Sequence, residues 1–486
     1  MLTFMALPDI SLRCADIVRQ PGSPAFGFFG LRIIDSCQFA PMQQNLTFED
    51  ALSGGPPTTP KSSASDSARS STSAATTNPL QAAVRHRVKE NNVLLKSLKL
   101  TNFLSFSESA QALALRPLNV VIGPNGSGKS NLMEAIDLIR SAPSTSEKSN
   151  LLATIRDGGG VRDWLWKGAL ETPHATIDAT FDNPDPKMAV DLRYAISFSE
   201  IGQRFEVLDE RVENERPDAG HNKPYFYYRF RNGHGVLNVK GDERRLQRED
   251  IDPTASILSQ RKDPDQYPEL TYLGNVFGKI RLYREWSFGR YTSPRMPQKA
   301  DLPNDLLEPD ASNLGLVLNR LRRDPGIKRK LLDALRALYD GIDDFDVQIE
   351  GGTVQVFFQE GRYIVPATRL SDGTLRYLCL LAILCHPNPP PLICIEEPEL
   401  GLHPDVLPTL ASLLKDAAGR TQLIVTTHSD VLVDALTDQP EAIVVAERTA
   451  AGTTLTRLDA AKLEPWLEKY RLGQLWTRGE IGGTRW

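Results

Sequence analysis

One octapeptide constrains this chain more than any other stretch. Gly123, Pro124, Asn125, Gly126, Ser127, Gly128, Lys129 and Ser130 satisfy the pattern G-x-x-x-x-G-K-[ST] at every fixed position. The apolar run 118–122 before it reads as a buried strand. Residues 131–140 after it read as a helix with Leu132, Ala135, Ile136 and Ile139 on one face. Strand, loop and helix start thus fall where a phosphate cradle needs them. Glycines let backbone N–H groups curl around phosphate oxygens, and the helix N-terminus adds partial positive charge. Lys129 is expected to reach the β- and γ-phosphates of a nucleotide, and the Ser130 hydroxyl to hold Mg²⁺.

A chain of 486 residues has room for two or three domains, or one with large insertions. The net charge of −5 lends no bulk support to nucleic-acid binding and leaves only a local patch for it. No run reaches the roughly 18 apolar residues of a membrane span, so no membrane partner is expected. Cys14, Cys37, Cys379, Cys385 and Cys394 form no C-x-x-C pair, and three of the five lie in strongly apolar surroundings. Those three read as buried thiols in a reducing compartment, which makes the cytoplasm the expected location. The seven histidines show no metal-ligand spacing.

Residues 1–92 differ from the rest. Residues 54–82 are a Gly/Pro and then Ser/Ala/Thr-rich tract that cannot bury enough apolar surface to order itself. The whole segment is expected to be a disordered or low-complexity extension, with Met42 a candidate downstream start. Residues 93–175 form a first unit, opened by an alternating strand from Leu95 and containing the phosphate loop. Residues 176–365 read as an inserted β-rich and helical lobe. Strand-like runs lie at 175–181, 189–198, 205–212, 225–230 and 236–239, and helices over 313–338 are broken at Asp324-Pro325-Gly326. Arg320, Arg322, Arg323, Lys328, Arg329 and Lys330 cluster at that break. A solvated helix face explains them better than a nucleic-acid contact. Residues 241–312 are charged and proline-rich and carry no pattern that assigns a fold.

Residues 366–448 resume the pattern. Leu370-Ser371-Asp372-Gly373-Thr374 precedes an apolar helix over 375–385. The apolar strand 391–395 ends in Glu396-Glu397-Pro398, and the apolar strand 422–427 ends in His428. Runs apolar on both faces and spaced by helices predict a largely parallel sheet covered on both sides, with its ligand site at the carboxyl ends of the strands. Residues 449–486 close the chain with Trp476 and Trp486, and are expected to dock on the head or on a partner.

Phosphate loop, L-S-x-G stretch, paired carboxylates and strand-end His, in this order, resemble the ATP-binding-cassette ATPases. More narrowly they resemble the RecF/SMC-like branch, which includes the overcoming-lysogenization-defect nucleases. Residues 98–106, the Gly-Pro-Asn-Gly-Ser-Gly-Lys-Ser loop and the Glu-Glu-Pro-Glu-Leu-Gly-Leu-His-Pro block over 396–404 carry the likeness. The resemblance implies an α/β P-loop NTPase head that binds ATP and Mg²⁺. It implies Glu396 as a metal ligand, Glu397 as the base that deprotonates water and His428 as the sensor of the γ-phosphate. Ser371 and Gly373 would act in trans, on ATP bound to a second copy, in an ATP-driven homodimer.

Two features depart from that pattern. Asp372 stands where glycine is usual. No Gln lies between Asn131 and Gly202 to sense metal and water, and the Trp164–Gly168 patch falls about where that loop belongs. The insertion lacks the heptads of coiled-coil arms. The 40 residues after Ala446 are too few for the Toprim nuclease domain of the lysogenization-defect type. Two function classes remain. One is an ATPase of DNA repair or anti-phage defence, with DNA and a separate nuclease or effector as partners. The other is an ATP-gated protein-binding scaffold with no nucleic-acid contact.

Overall fold

The structure is a computed structural model that describes residues 93–168, 174–183, 190–218, 220–231, 233–239, 241–247 and 250–483. The extension expected over 1–92 lies outside these residues. In chain order the strands are β1 (Leu95–Thr101), β2 (Leu113–Ala114), β3 (Leu118–Ile122), β4 (Ala175–Phe181), β5 (Leu192–Ile201), β6 (Arg204–Asn214), β7 (Phe226–Arg231), β8 (His234–Val239), β9 (Asp242–Leu246), β10 (Arg281–Tyr283), β11 (Gln298–Lys299), β12 (Asp344–Glu350), β13 (Thr353–Glu360), β14 (Tyr363–Pro366), β15 (Leu392–Glu396), β16 (Gln422–Thr426), β17 (Ile443–Thr449) and β18 (Gly452–Arg457). The helices used below are α1 (Lys129–Ser141), α2 (Ile257–Gln260), α3 (Pro268–Phe277), α4 (Leu314–Leu321), α5 (Pro325–Leu338), α6 (Asp372–Leu384), α7 (Leu407–Ala418) and α8 (Leu472–Thr477).

The central sheet has the order β10-β15-β16-β3-β17-β18, parallel throughout except for the β17–β18 hairpin. This is the mixed, largely parallel sheet that the apolar runs imply. Because side chains alternate across a strand, each run feeds two cores. Leu423 and Val425 of β16 point into one, with α4, α5, α6 and α7. Ile424 points into the other, with α1, α3 and the second sheet. That two-sided burial is why these strands are continuous apolar runs.

The second sheet is antiparallel, β2-β1-β4-β5-β6-β7-β8-β9. β1 pairs with β4, Leu98 opposite Ala179, so the boundary expected near 175 falls inside a sheet. Gln422, fully buried, ties the two layers. Its Oε1 accepts from the Leu95 N–H at 2.9 Å and its Nε2 donates to the Leu95 carbonyl at 2.8 Å. The expected helices over 313–338 are α4 and α5, separated at Asp324. The Asp324 carboxylate caps α5 by accepting from Gly326 N–H at 2.8 Å. β10 and α3 lie in the stretch that carried no readable period.

Cys379, Cys385 and Cys394 are buried and free, and burial pushes the Cys385 thiol up to about 11. Among the described residues no helix is long and apolar enough to cross a membrane.

One buried carboxyl in the antiparallel sheet gives a stability prediction. Glu210 accepts from the Tyr194 hydroxyl at 2.9 Å, the Ser256 hydroxyl at 2.5 Å and the Ile257 N–H at the start of α2 at 2.9 Å. Desolvation outweighs these bonds and pushes its pKa up to about 7. A raised carboxyl pKa means the unfolded chain releases the proton first, so this group's contribution falls as pH rises from 4.5 to about 7. At about 1.4 kcal/mol per unit, roughly 3 kcal/mol is at stake. Glu210→Gln keeps an acceptor for Ile257 and an amide that can meet the two hydroxyls. Denaturant titrations from pH 5 to 8 are expected to show the wild type losing stability relative to this variant as pH rises. A constant difference across that range would refute it.

Candidate functional site

β15, β16 and β3 are adjacent and parallel, so their carboxyl ends form one rim. The phosphate loop leaves β3, Glu396 ends β15 with Glu397 next after it, and His428 follows β16. The register sets Glu396 opposite Thr426. Ser130, in the first turn of α1, donates to Glu396 Oε1 at 2.5 Å. Two oxygens from opposite ends of the sequence thus meet within contact distance.

The loop has the character of an anion cradle. Gly128 caps α1 at φ 104, in the left-handed region, and offers no side-chain cap, so the helix start stays open to an outside acceptor. Ser127 Oγ is buried without a hydrogen-bond partner among the described residues. Lys129 Nζ donates to the loop's own carbonyls, Gly123 at 2.8 Å and Pro124 at 3.1 Å. Burial lowers the Lys129 ammonium's pKa, while Glu397, Glu396 and Glu399 pull it back up. An open helix start, an orphaned hydroxyl and a shielded cation fit a polyphosphate. Ser130 and Glu396 fit a hard divalent ion that takes its other ligands from phosphate and water.

Three neighbours to which sequence reading gave no role at the site hold this loop. Thr453 of β18 is buried. It donates to the Ser127 carbonyl at 2.9 Å and bonds Ser105 Oγ at 2.8 Å. Asn131 Nδ2 donates to the same Ser105 at 2.7 Å. No local pattern announces such braces, because Ser105 and Thr453 lie 348 positions apart.

Glu397 sits at φ 45, a conformation that non-glycine residues seldom adopt and that recurs at functional sites. Its carboxylate lies 3.4 Å from His428 Nε2, both side chains about a third exposed. Glu399, from the same block, accepts from the His428 N–H and the Thr427 hydroxyl at 2.7 Å each. It thereby anchors the backbone that presents His428. Its other oxygen is buried without a partner, and burial raises its pKa.

The L-S-D-G-T stretch forms the start of α6. Ser371 is its N-cap and accepts from the Thr374 N–H at 3.0 Å. Among the described residues no hydrogen bond joins Ser371 or Gly373 to the phosphate loop of the same chain. The unusual Asp372 has a partner, the buried Arg295, at 2.5 Å, and Arg295 also donates to the Leu370 carbonyl. Gly373 has a structural reason of its own. A Cβ there would stand 2.5 Å from the Gly401 carbonyl oxygen. Gly373→Ala is therefore expected to push α6 off the 396–404 block and cost about 1–3 kcal/mol, read as a lowered denaturation midpoint. An unchanged midpoint would show that the contact yields freely.

The Trp164–Gly168 patch does not reach this rim by its first ring. Trp164 is buried against Phe103 and donates to the Ile155 carbonyl at 3.0 Å. The residue beside Glu396 is instead Arg284, just after β10. The basic segment at 320–330 is largely neutralised. Arg320 pairs with Asp305, Arg322 with Asp346, Lys328 with Asp344 and Lys330 with Asp416. At the chain's other end, α8 is docked. Leu472, Leu475 and Trp476 are buried, Trp476 Nε1 donates to the Gly483 carbonyl, and Gly483 N–H donates to Glu447 of β17 at 3.0 Å.

Residues 118–434 match the family described as "AAA domain, putative AbiEii toxin, Type IV TA system". The chain is similar to the chromosome partition protein Smc of Rhodopirellula baltica, 34% identical over 101 residues, covering 20% of this chain and 8% of that protein. It is also similar to the OLD nuclease of Thermus scotoductus, 24% identical over 352 residues, covering 70% of this chain and 60% of the nuclease. The chain thus spans less than two thirds of the length of these relatives. Among solved structures, an SmcHead bound to the C-winged helix domain of ScpA aligns with a TM-score of 0.47 at 16% identity, over 76% of this chain and 99% of that one. The SMC head domain from Thermotoga maritima aligns with a TM-score of 0.37 at 15% identity, over 76% of this chain and all of that one (100%).

Proposed function

We propose, on the premise that this chain belongs to the AAA-domain family matched over residues 118–434, that it binds ATP with Mg²⁺ and hydrolyses it as an ATP-binding-cassette ATPase of RecF/SMC-like type. The observation that carries this is the shared rim. Lys129 and Ser130, Glu396 and Glu397, and His428 stand at the carboxyl ends of three adjacent parallel strands.

The roles follow from the chemistry of each group. The loop N–H groups and Lys129 bind the phosphates and balance their charge. Ser130 and Glu396 would hold Mg²⁺, which neutralises charge on the phosphate oxygens. Glu397 takes a proton from the attacking water. His428, held by Glu399, donates toward the γ-phosphate and loses that contact when the phosphate leaves. Ser371 and the start of α6 complete the site of a second copy, so ATP favours a homodimer and hydrolysis releases it.

The output we propose is DNA repair or anti-phage defence, acting with a separate nuclease or effector. An ATP-gated protein scaffold is the second reading, favoured by the ion pairing of the 320–330 cations. Phosphate release by the purified chain, with and without duplex DNA, alongside mass by light scattering, separates them. Turnover that rises with DNA supports the first reading. Turnover and ATP-dependent dimerisation indifferent to DNA support the second. A chain that neither binds nor hydrolyses ATP refutes both.

A further inference from the structure

The strongest unassigned feature beside this site is a guanidinium between two carboxylates. β10 runs parallel to β15 with Tyr283 opposite Ile395, which brings Arg284 level with Glu396. Arg284 Nε donates to Glu396 Oε2 at 2.9 Å, and its Nη1 lies 2.9 Å from Glu134 Oε1. Glu134 is one helical turn beyond Ser130 on α1. All three side chains are substantially shielded, at 22% exposure for Arg284, 18% for Glu396 and 29% for Glu134. Water therefore screens the pairs less than it would at an open surface.

Both oxygens of Glu396 are thus engaged, Oε1 by Ser130 and Oε2 by Arg284. Ser130 and Glu396 are also the two groups assigned above to the metal. A divalent ion that enters must displace the Ser130 hydrogen bond and compete with a cation that cannot leave by deprotonation. Without nucleotide Arg284 already answers Glu396 and Glu134, and Lys129 feels Glu397, Glu396 and Glu399, so a free metal ion must compete with both cations for Glu396. The phosphates of a nucleotide add several negative charges at the same rim and reverse that balance.

We propose that Arg284 is the resident counter-cation of Glu396, a positioning residue that withholds the carboxylate from free divalent metal and yields it to metal arriving with nucleotide. Glu134 keeps a second bond to the guanidinium, so Arg284 has an anchor when Glu396 lets go. This inference rests on the ATPase reading for the role of Glu396.

The test is Mn²⁺ binding to the nucleotide-free full-length protein, followed by electron paramagnetic resonance. Wild type is expected to bind Mn²⁺ weakly. Arg284→Ala and Arg284→Gln are each expected to tighten that binding by about tenfold or more, as removal of a neighbouring unit charge should. Adding Glu396→Gln to either is expected to abolish the gain. A role in packing alone would alter folding without tightening metal binding. Equal Mn²⁺ affinity in wild type and in a folded Arg284 variant overturns the proposal. Should neither variant fold, wild type alone decides. Binding as tight without nucleotide as with it, and lost in Glu396→Gln, overturns the proposal, whereas tight binding only with nucleotide supports it. Binding of a fluorescent ATP analogue by wild type is measured in parallel. Its absence would refute the ATPase reading itself, whereas its presence with unchanged Mn²⁺ affinity would refute only the role of Arg284.

Discussion

Glu397→Gln is expected to slow ATP hydrolysis by about 10²–10⁴-fold, the range set by loss of a positioned general base, while MgATP binding persists. The exchange is nearly isosteric. The backbone that holds Glu397 at φ 45 is fixed by its N–H donating to the Thr426 carbonyl at 3.0 Å, and does not depend on the carboxylate. The Gln side chain can still meet His428, 3.4 Å from the present carboxylate. It cannot take up a proton at neutral pH. Binding should survive because the groups proposed to hold phosphate and metal, Lys129, Ser130 and Glu396, are untouched. The variant should therefore accumulate with ATP bound, and light scattering should report a dimer that persists after excess nucleotide is removed. Turnover equal to wild type would place the base on another residue. Loss of binding would show that Glu397 acts on the nucleotide and not on water.

Lys129→Ala is expected to have the opposite profile, with binding weakened and the fold kept. A hydrogen bond to a charged group contributes about 1.5–3 kcal/mol, so losing one contact to phosphate lowers affinity about 10–100-fold. Among the described residues the ammonium hydrogen-bonds the Gly123 and Pro124 carbonyls, and its burial offsets the attraction of Glu397, Glu396 and Glu399. Its removal therefore costs the free protein little. Thermal melts with and without MgATP check both statements. The free variant should melt near wild type, and the shift that nucleotide confers on wild type should shrink. A shift of undiminished size would mean that backbone N–H groups hold the phosphates unaided.

The two variants divide the rim by chemistry. One removes the proton acceptor and leaves the charges that bind. The other removes a binding charge and leaves the acceptor. That separation is possible because the groups come from different strand ends, Lys129 after β3 and Glu397 after β15, with β16 between them.

Much of this architecture was legible locally. The phosphate loop, the apolar runs that became β3, β15 and β16, and the polar residues at their ends are all short-range patterns. A strand buried on both faces is apolar at nearly every position, with exceptions such as Asn119 and Gln422 held by hydrogen bonds, and a helix packed on one face is apolar at every third or fourth. The Gly351-Gly352 turn that joins β12 to β13, at φ 56 and 76, is likewise a short-range pattern. Residues 241–312 were not readable. β10 is only three residues long, and nothing in its own composition marks it as the edge of the parallel sheet.

The sequence by itself determined which side chains are candidates for the chemistry and the parallel sheet that would gather them. Tertiary structure alone decided the partners those side chains keep: Arg284 on Glu396 from 112 positions away, Thr453 on Ser127 from 326, and Arg295 on Asp372 from 77. The physical reason is range. Periodicity records what a residue needs from its own strand or helix. A salt bridge between elements depends on the register in which they pair, and no repeat along the chain encodes that register.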